Sequence, residues 1–235
     1  MQLKVKRIIA LVVVVALLMA GSVLVTMAYL TSQDTVTNTF TVGKVSITLD
    51  ETDVDEYGVA IENAERVKEN EYKLIPGHTY VKDPTVHVGA GSEQSYLRMM
   101  VTVTDFVDLC AAWNKTTGEF TFDDIANGFG EGWALETKTY DDAKNECVFE
   151  YRYGEVIKGG SAVPALFNEI EILDGISNDA LNTLGEMKII VVAHAIQKEG
   201  FGDDVDAAWA AFEEEPVPTT SSEITGPTDA QPDGN

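Results

Sequence analysis

The chain is poor in several things that would narrow its chemistry. It has two cysteines, three histidines and 16 basic residues against 39 acidic ones. Two cysteines cannot make a disulfide framework, and a chain of 235 residues can build its own hydrophobic core without one. The net charge of -23 repels nucleic acid and anionic lipid headgroups, so partners of those kinds are excluded. No His-Glu-x-x-His places two zinc ligands beside a base, and no glycine-rich phosphate loop is present. No Ser-His-Asp signature is visible either. Long apolar runs are absent after residue 28, as are repeats of fixed period and a Leu-Pro-x-Thr-Gly sorting motif.

The first 28 residues are of a different kind. Lys4, Lys6 and Arg7 precede an apolar run from Ile8 to Ala20, which Gly21 and Ser22 interrupt and Val23 to Met27 resume. Thr26 and Ala28 are small residues at the spacing a signal peptidase needs, so cleavage is expected between Ala28 and Tyr29. Read without the break, Ile8 to Ala28 is long enough to span a bilayer, which leaves an uncleaved signal anchor as the alternative. Both readings put the rest of the chain outside the cell, because the basic residues lie before the segment.

The organisation expected is a signal peptide over 1–28, a β-sandwich over 29–212 and a disordered tail over 213–235 rich in Pro, Thr, Ser and acid. A strand begins almost at once. Val36, Phe40 and Val42 alternate with polar residues. After Gly43 the phase shifts to Val45, Ile47 and Leu49, as at a β-bulge or bend. Residues 50–71 are charged and irregular, and Leu74-Ile75-Pro76-Gly77 is a turn. Tyr80 to Val88 reads as a strand interrupted by Pro84. Tyr96 to Thr104 alternates clearly, with Leu97, Met99, Val101 and Val103 on one face. A short helix follows, capped by Asp105 or Thr104, and Trp133 to Tyr140 with Cys147 to Tyr153 predicts a hairpin. Ala165 to Leu173 alternates again, and Ser177 starts a short helix. Met187 to Gln197 is apolar and β-branched on both faces, which predicts a central buried strand. A last helix spans Asp203 to Phe212. Many short strands with turns between them predict a mainly β, antiparallel sandwich with a few short helices.

Cys110 and Cys147 read equally as one disulfide or as two buried thiols. The acidic clusters at residues 50–56 and 203–206 lack the glycine-turned spacing of a calcium loop, which leaves weak calcium binding at most. His78, His87 and His194 are the candidate zinc ligands, though nothing in their spacing demands a metal. Trp113, Trp133 and Trp209 read as packing rather than as a carbohydrate platform.

The stretch from Ala28 through Thr35-Val36-Thr37-Asn38-Thr39-Phe40-Thr41-Val42-Gly43-Lys44-Val45-Ser46-Ile47-Thr48-Leu49 to Glu51 resembles the mature N-terminus of the TasA/camelysin family. Ile75-Pro76-Gly77 leading to Asp83-Pro84-Thr85-Val86 fits as well. So does Val191 to Gln197 followed by Gly200-Phe201 and Ala207-Ala208-Trp209. Residues 105–185 have no counterpart in the resemblance. What it implies is a jelly-roll protein of Gram-positive bacteria, exported through a SipW-type signal peptidase into the biofilm matrix or onto the cell surface. There it would polymerise head to tail with itself, alongside other matrix proteins. The strand carrying Val36, Phe40, Val42, Gly43, Val45, Ile47 and Leu49 would complete the sheet of the next subunit. Camelysin relatives have been classed as metalloendopeptidases, which is the enzymatic alternative. The pairing of that strand within its own domain is the structural one.

Overall fold

The computed structural model describes residues 43–184 and 187–214. Its strands are β1 (Ile47–Asp50), β2 (Thr79–Val81), β3 (Thr85–Val88), β4 (Ser95–Val103) and β5 (Ala126–Asn127). They continue with β6 (Trp133–Asp141), β7 (Glu146–Tyr153), β8 (Glu169–Glu171) and β9 (Ile189–Gln197). Among the described residues three short α-helices accompany them: α1 (Phe106–Ala112), α2 (Asn178–Thr183) and α3 (Val205–Glu214). The chain is therefore mainly β. Every strand pair is antiparallel, within three sheets of order β6-β7-β4-β9, β2-β8-β5 and β1-β3.

The alternation along β4 sets the core. Leu97, Met99, Val101 and Val103 are all buried, and Met99 stands opposite both Tyr151 of β7 and Ala193 of β9. Four such side chains gain on the order of 1.5–3 kcal/mol each on leaving water. Around them an aromatic group (Phe106, Phe120, Phe122 and Phe149) packs edge to face or tilted at ring separations of 5.3 to 6.1 Å. Cys110 of α1 and Cys147 of β7 belong to this core as free thiols. Burial pushes both up to about 11, so neither is a nucleophile at neutral pH.

Turn chemistry positions the rest. Pro76-Gly77 makes a tight turn closed by the His78 N–H on the Ile75 carbonyl (3.2 Å), with Gly77 at φ 68°. That is the glycine position of a type II turn. Pro84 interrupts Tyr80–Val88 as expected, and the interruption has a purpose. β2 pairs with β8 whereas β3 pairs with β1, so residues 82–84 form a corner where the chain changes sheets. The β6–β7 hairpin forms as predicted, closed at Asp141 opposite Glu146.

Three expectations need correction. Asp105 begins α1 but makes no side-chain cap, because it sits at φ 51°. Asn145 of the hairpin turn does the capping from across the fold. Its side-chain oxygen accepts the Val107 N–H (2.9 Å) and its carbonyl the Phe106 N–H (3.1 Å). The last helix runs through Glu214, two residues past the expected boundary, and Glu213 is engaged there. Most importantly, among the described residues β9 has one strand neighbour, β4, and stands at the edge of its sheet rather than at its centre. Ile190 and Val192 are 45% and 44% exposed.

Candidate functional site

The three histidines are not brought together. His78 bonds the Tyr57 carbonyl through Nε2 (2.7 Å) and packs on the Tyr80 ring. His87 bonds Asp50 Oδ1 (2.8 Å) on the exposed face of β3. His194 accepts the Arg98 Nε–H at Nδ1 (3.3 Å) on β9. Among the described residues no group of three His, Cys, Asp or Glu side chains is placed to hold a metal ion. Both acidic clusters spend carboxylates on protein partners. Asp50 binds Arg66 (2.5 Å) and Asp203 binds Lys198 (2.7 Å). Hydrogen bonds from Arg66 and His87 outweigh partial burial and hold the Asp50 carboxyl below its usual range.

Of the proposed polymerisation strand, Ala28, Tyr29, Val36, Phe40 and Val42 lie outside the described residues, as does the expected bulge on the near side of Gly43. Gly43 opens the described chain, near Gln197 and Lys198 at the end of β9. Lys44 bridges Ser92, and Val45 is half-buried. Ile47 and Leu49 belong to β1 and are paired inside their own chain, Ile47 opposite Val88 and Leu49 opposite Val86. The far half of the segment is thus taken, and residues 35–42 are what remains for a neighbour.

Among the described residues the four-stranded sheet has two edges, β6 and β9, and the edge of β9 is the one that borders a groove. Between that edge and β1 runs a groove of about 940 Å³. Its apolar lining comes from Leu49, Tyr72, Leu74 and Ile170 on one side and Ile189, Val191 and Ala193 of β9 on the other. Along this face of β9 the side chains shrink from Ile189 and Val191 to Ala193 and Ala195. A charged pair closes the other wall: Lys82 Nζ meets Glu51 Oε2 at 2.6 Å with both side chains about nine-tenths buried, and Asn70 donates to Glu51 Oε1 (2.9 Å). The Lys68 ammonium bonds the Leu49 carbonyl on the β1 side. Tyr72 donates to the Val81 carbonyl (3.1 Å), and burial raises its phenol above the ordinary value.

The opposite face of the same sheet carries a second constellation, which sequence reasoning missed. Arg98 of β4 is 4% exposed. Its guanidinium lies 4.4 Å over the Trp209 ring and 5.1 Å from that of Phe212, so α3 is held by cation–π contact. Arg98 bonds Glu213 (2.5 Å) and faces Glu150 (3.7 Å), while Arg152 binds Glu150 (2.8 Å) and Asp206 (2.7 Å). Tyr96 donates to the Gly202 carbonyl (2.6 Å). Burial, and after it the Arg98 charge, push the His194 imidazole below its usual value. The available signal was Arg98, Glu150 and Arg152 standing as charges within otherwise alternating strands. With that geometry in view, no family model, curated protein or solved structure matches the chain.

Proposed function

We propose that this chain is an exported structural subunit of jelly-roll type, building matrix or surface fibres by accepting the N-terminal strand of another copy along β9. The carrying observation is the edge of β9, unpaired among the described residues, beside a groove whose apolar side chains are rimmed by charged ones. An open edge offers a row of unpaired N–H and C=O groups, and an extended segment that adds to it gains main-chain hydrogen bonds. The alternation of residues 35–42 suits the place. Val36, Phe40 and Val42 would share the face of Ile189, Val191 and Ala193, and Phe40 is the side chain large enough to use the space beside Ala193. Burying these three gains roughly 1.5–3 kcal/mol each, and ordering the strand and fixing the subunits offset much of it.

The resemblance to the TasA/camelysin family supports the same reading. So does the leader ahead of residue 29, whose removal by a SipW-type signal peptidase would release the strand only after export. A head-to-tail contact of this kind does not close on itself and grows a filament. No metallopeptidase reaction is proposed, since the histidines each serve a separate contact. Negative-stain microscopy of chain beginning at Tyr29, with and without residues 35–42, tests the reading. Filaments are expected from the first and not from the second. Filaments of equal number and width from both would refute strand donation.

A further inference from the structure

Glu51, just past β1, holds two different nitrogen groups on the two oxygens of its carboxylate. Oε2 lies 2.6 Å from the Lys82 ammonium, and Oε1 accepts a hydrogen bond from the Asn70 carboxamide at 2.9 Å. The backbone fixes all three residues. Glu51 exchanges main-chain hydrogen bonds with Val67 (2.9 and 2.8 Å), three residues before Asn70. Lys82 sits at the corner between β2 and β3, with its N–H on the Asn168 carbonyl (3.0 Å). The orientation of the carboxamide is set as well. Its Nδ2 also donates to the Thr52 carbonyl (2.9 Å), and its Oδ1 accepts the Val54 N–H (3.1 Å). Reversed, it would set an oxygen against two acceptors and an N–H against a donor. Glu51, Val54 and Lys82 are all buried, and the Tyr72 ring lies 5.8 Å from the ammonium, so little water reaches the group.

We propose that Lys82 and Asn70 join through a side-chain amide bond, formed within the folded chain with Glu51 as the proton relay. The step is a transamidation and needs no oxidant or outside reactant. The ammonium passes a proton to Glu51 along the 2.6 Å contact, which removes two buried charges at once. The Nζ lone pair then attacks Asn70 Cγ. Negative charge gathers on Oδ1, where the Val54 N–H already stands to stabilise it. As the tetrahedral centre collapses the Cγ–Nδ2 bond breaks. Oε1 of Glu51 already touches the leaving nitrogen, so the carboxyl delivers a proton there and ammonia departs. The second proton that Nζ gives up joins the ammonia in water as ammonium, and Glu51 ends as the carboxylate it began. Holding amine and amide on one carboxylate makes the reaction unimolecular, which takes the place of an activated acyl group. The bond closes residues 70–82 into a ring. It ties the Asn70 segment, which lines the groove, to the corner where the chain changes sheets. Before it closes, the ion pair governs the stability of the site. The cross-link does not depend on strand donation.

Intact mass of the full chain from Tyr29 tests the bond. After folding, the mass is expected to stand about 17 Da below that of the sequence, since one ammonia is lost. Trypsin should then spare Lys82 and release a branched peptide that joins residues 69–73 to residues 74–98 through Asn70 and Lys82. Chain held unfolded in guanidinium should keep the full mass, as should Glu51→Gln. Asn70→Ala, which leaves the ion pair in place, should fold and keep the full mass too. A folded wild-type chain at full mass would overturn the bond. So would a loss of about 17 Da that maps to another asparagine, such as a succinimide at Asn127 before Gly128. A branched peptide formed equally fast in Glu51→Gln would overturn the relay.

Discussion

Replacing Lys82 with Met should be among the most damaging single changes outside the aromatic core. The side chain is about nine-tenths buried, and its ammonium lies 2.6 Å from a carboxylate oxygen of Glu51, itself buried to the same degree. Glu51 has one other side-chain partner, the Asn70 amide at 2.9 Å. Methionine keeps the length of the lysine stem and removes the charge, so little is lost in packing. What changes is that a buried carboxylate is left with one neutral donor. Breaking a buried pair from one side costs about 3–5 kcal/mol, because the remaining charge is uncompensated. With a urea dependence of about 2 kcal/mol per molar, the unfolding midpoint should fall by about 1.5–2.5 M. The double replacement Lys82→Met with Glu51→Leu removes both charges and should recover most of the loss. The assay is urea unfolding followed by tryptophan fluorescence at pH 7. A single-variant cost below about 1 kcal/mol, or a double variant no better than the single, would refute the reasoning.

Three further outcomes follow from other parts of the molecule. Arg98→Ala should cost less than Lys82→Met, about 2–3 kcal/mol, although Arg98 is the more buried residue. Its partner Glu150 keeps Arg152 at 2.8 Å, so the loss is chiefly the stacking on Trp209, and a red-shifted tryptophan emission should report it. Acidification should release stability in two separate windows. The folded value of His194 lies below the ordinary 6.5, so the unfolded chain takes the proton first. The contribution is whole above about pH 6.5 and is lost as pH falls. Asp50, held below 3.8, adds its loss only below that value, and His194→Gln should flatten the first window alone in thermal unfolding at stepped pH. Finally, Ala193→Trp puts an indole into the groove and should abolish filaments by microscopy while Ala134→Trp, on β6, leaves them intact. Persistent filaments in the first variant would place strand addition elsewhere.

What the sequence made legible was local. Alternation in Tyr96 to Thr104, the paired runs around Asp141 to Glu146, and the Pro-Gly turn each state their structure within a few residues, and each is found. The position of a strand within a sheet is not local. Nothing in residues 189–197 says whether a second neighbour stands beside them, because that depends on pairing β4 across nearly a hundred residues. The capping of α1 by Asn145 was hidden for the same reason: the donor and acceptor come from elements far apart in the chain. The groove was equally invisible, since its walls come from β1, the segment around Tyr72 and β9. The charged face was half visible, as three ionic residues in strands, but their coupling to α3 needed the fold.

The misplacement of β9 carries physical information of its own. An edge strand normally protects itself with charge, proline or a bulge, because an apolar edge invites pairing. β9 does none of this. It carries Ile189, Val191 and Ala193 toward the groove and Ile190 and Val192 toward the outer face. Such a composition belongs to a strand covered on both faces and paired on both edges. The described residues supply one edge, the covering of one face and, through Phe212 on His194, part of the covering of the other. A strand added from another copy would supply the second edge. Under that proposal β9 becomes the interior strand that its residues describe, and its apolar edge is no longer a liability but the condition for assembly. The structural alternative, in which the N-terminal strand pairs within its own domain, would close the same edge without a neighbour, and filaments from the chain beginning at Tyr29 separate the two.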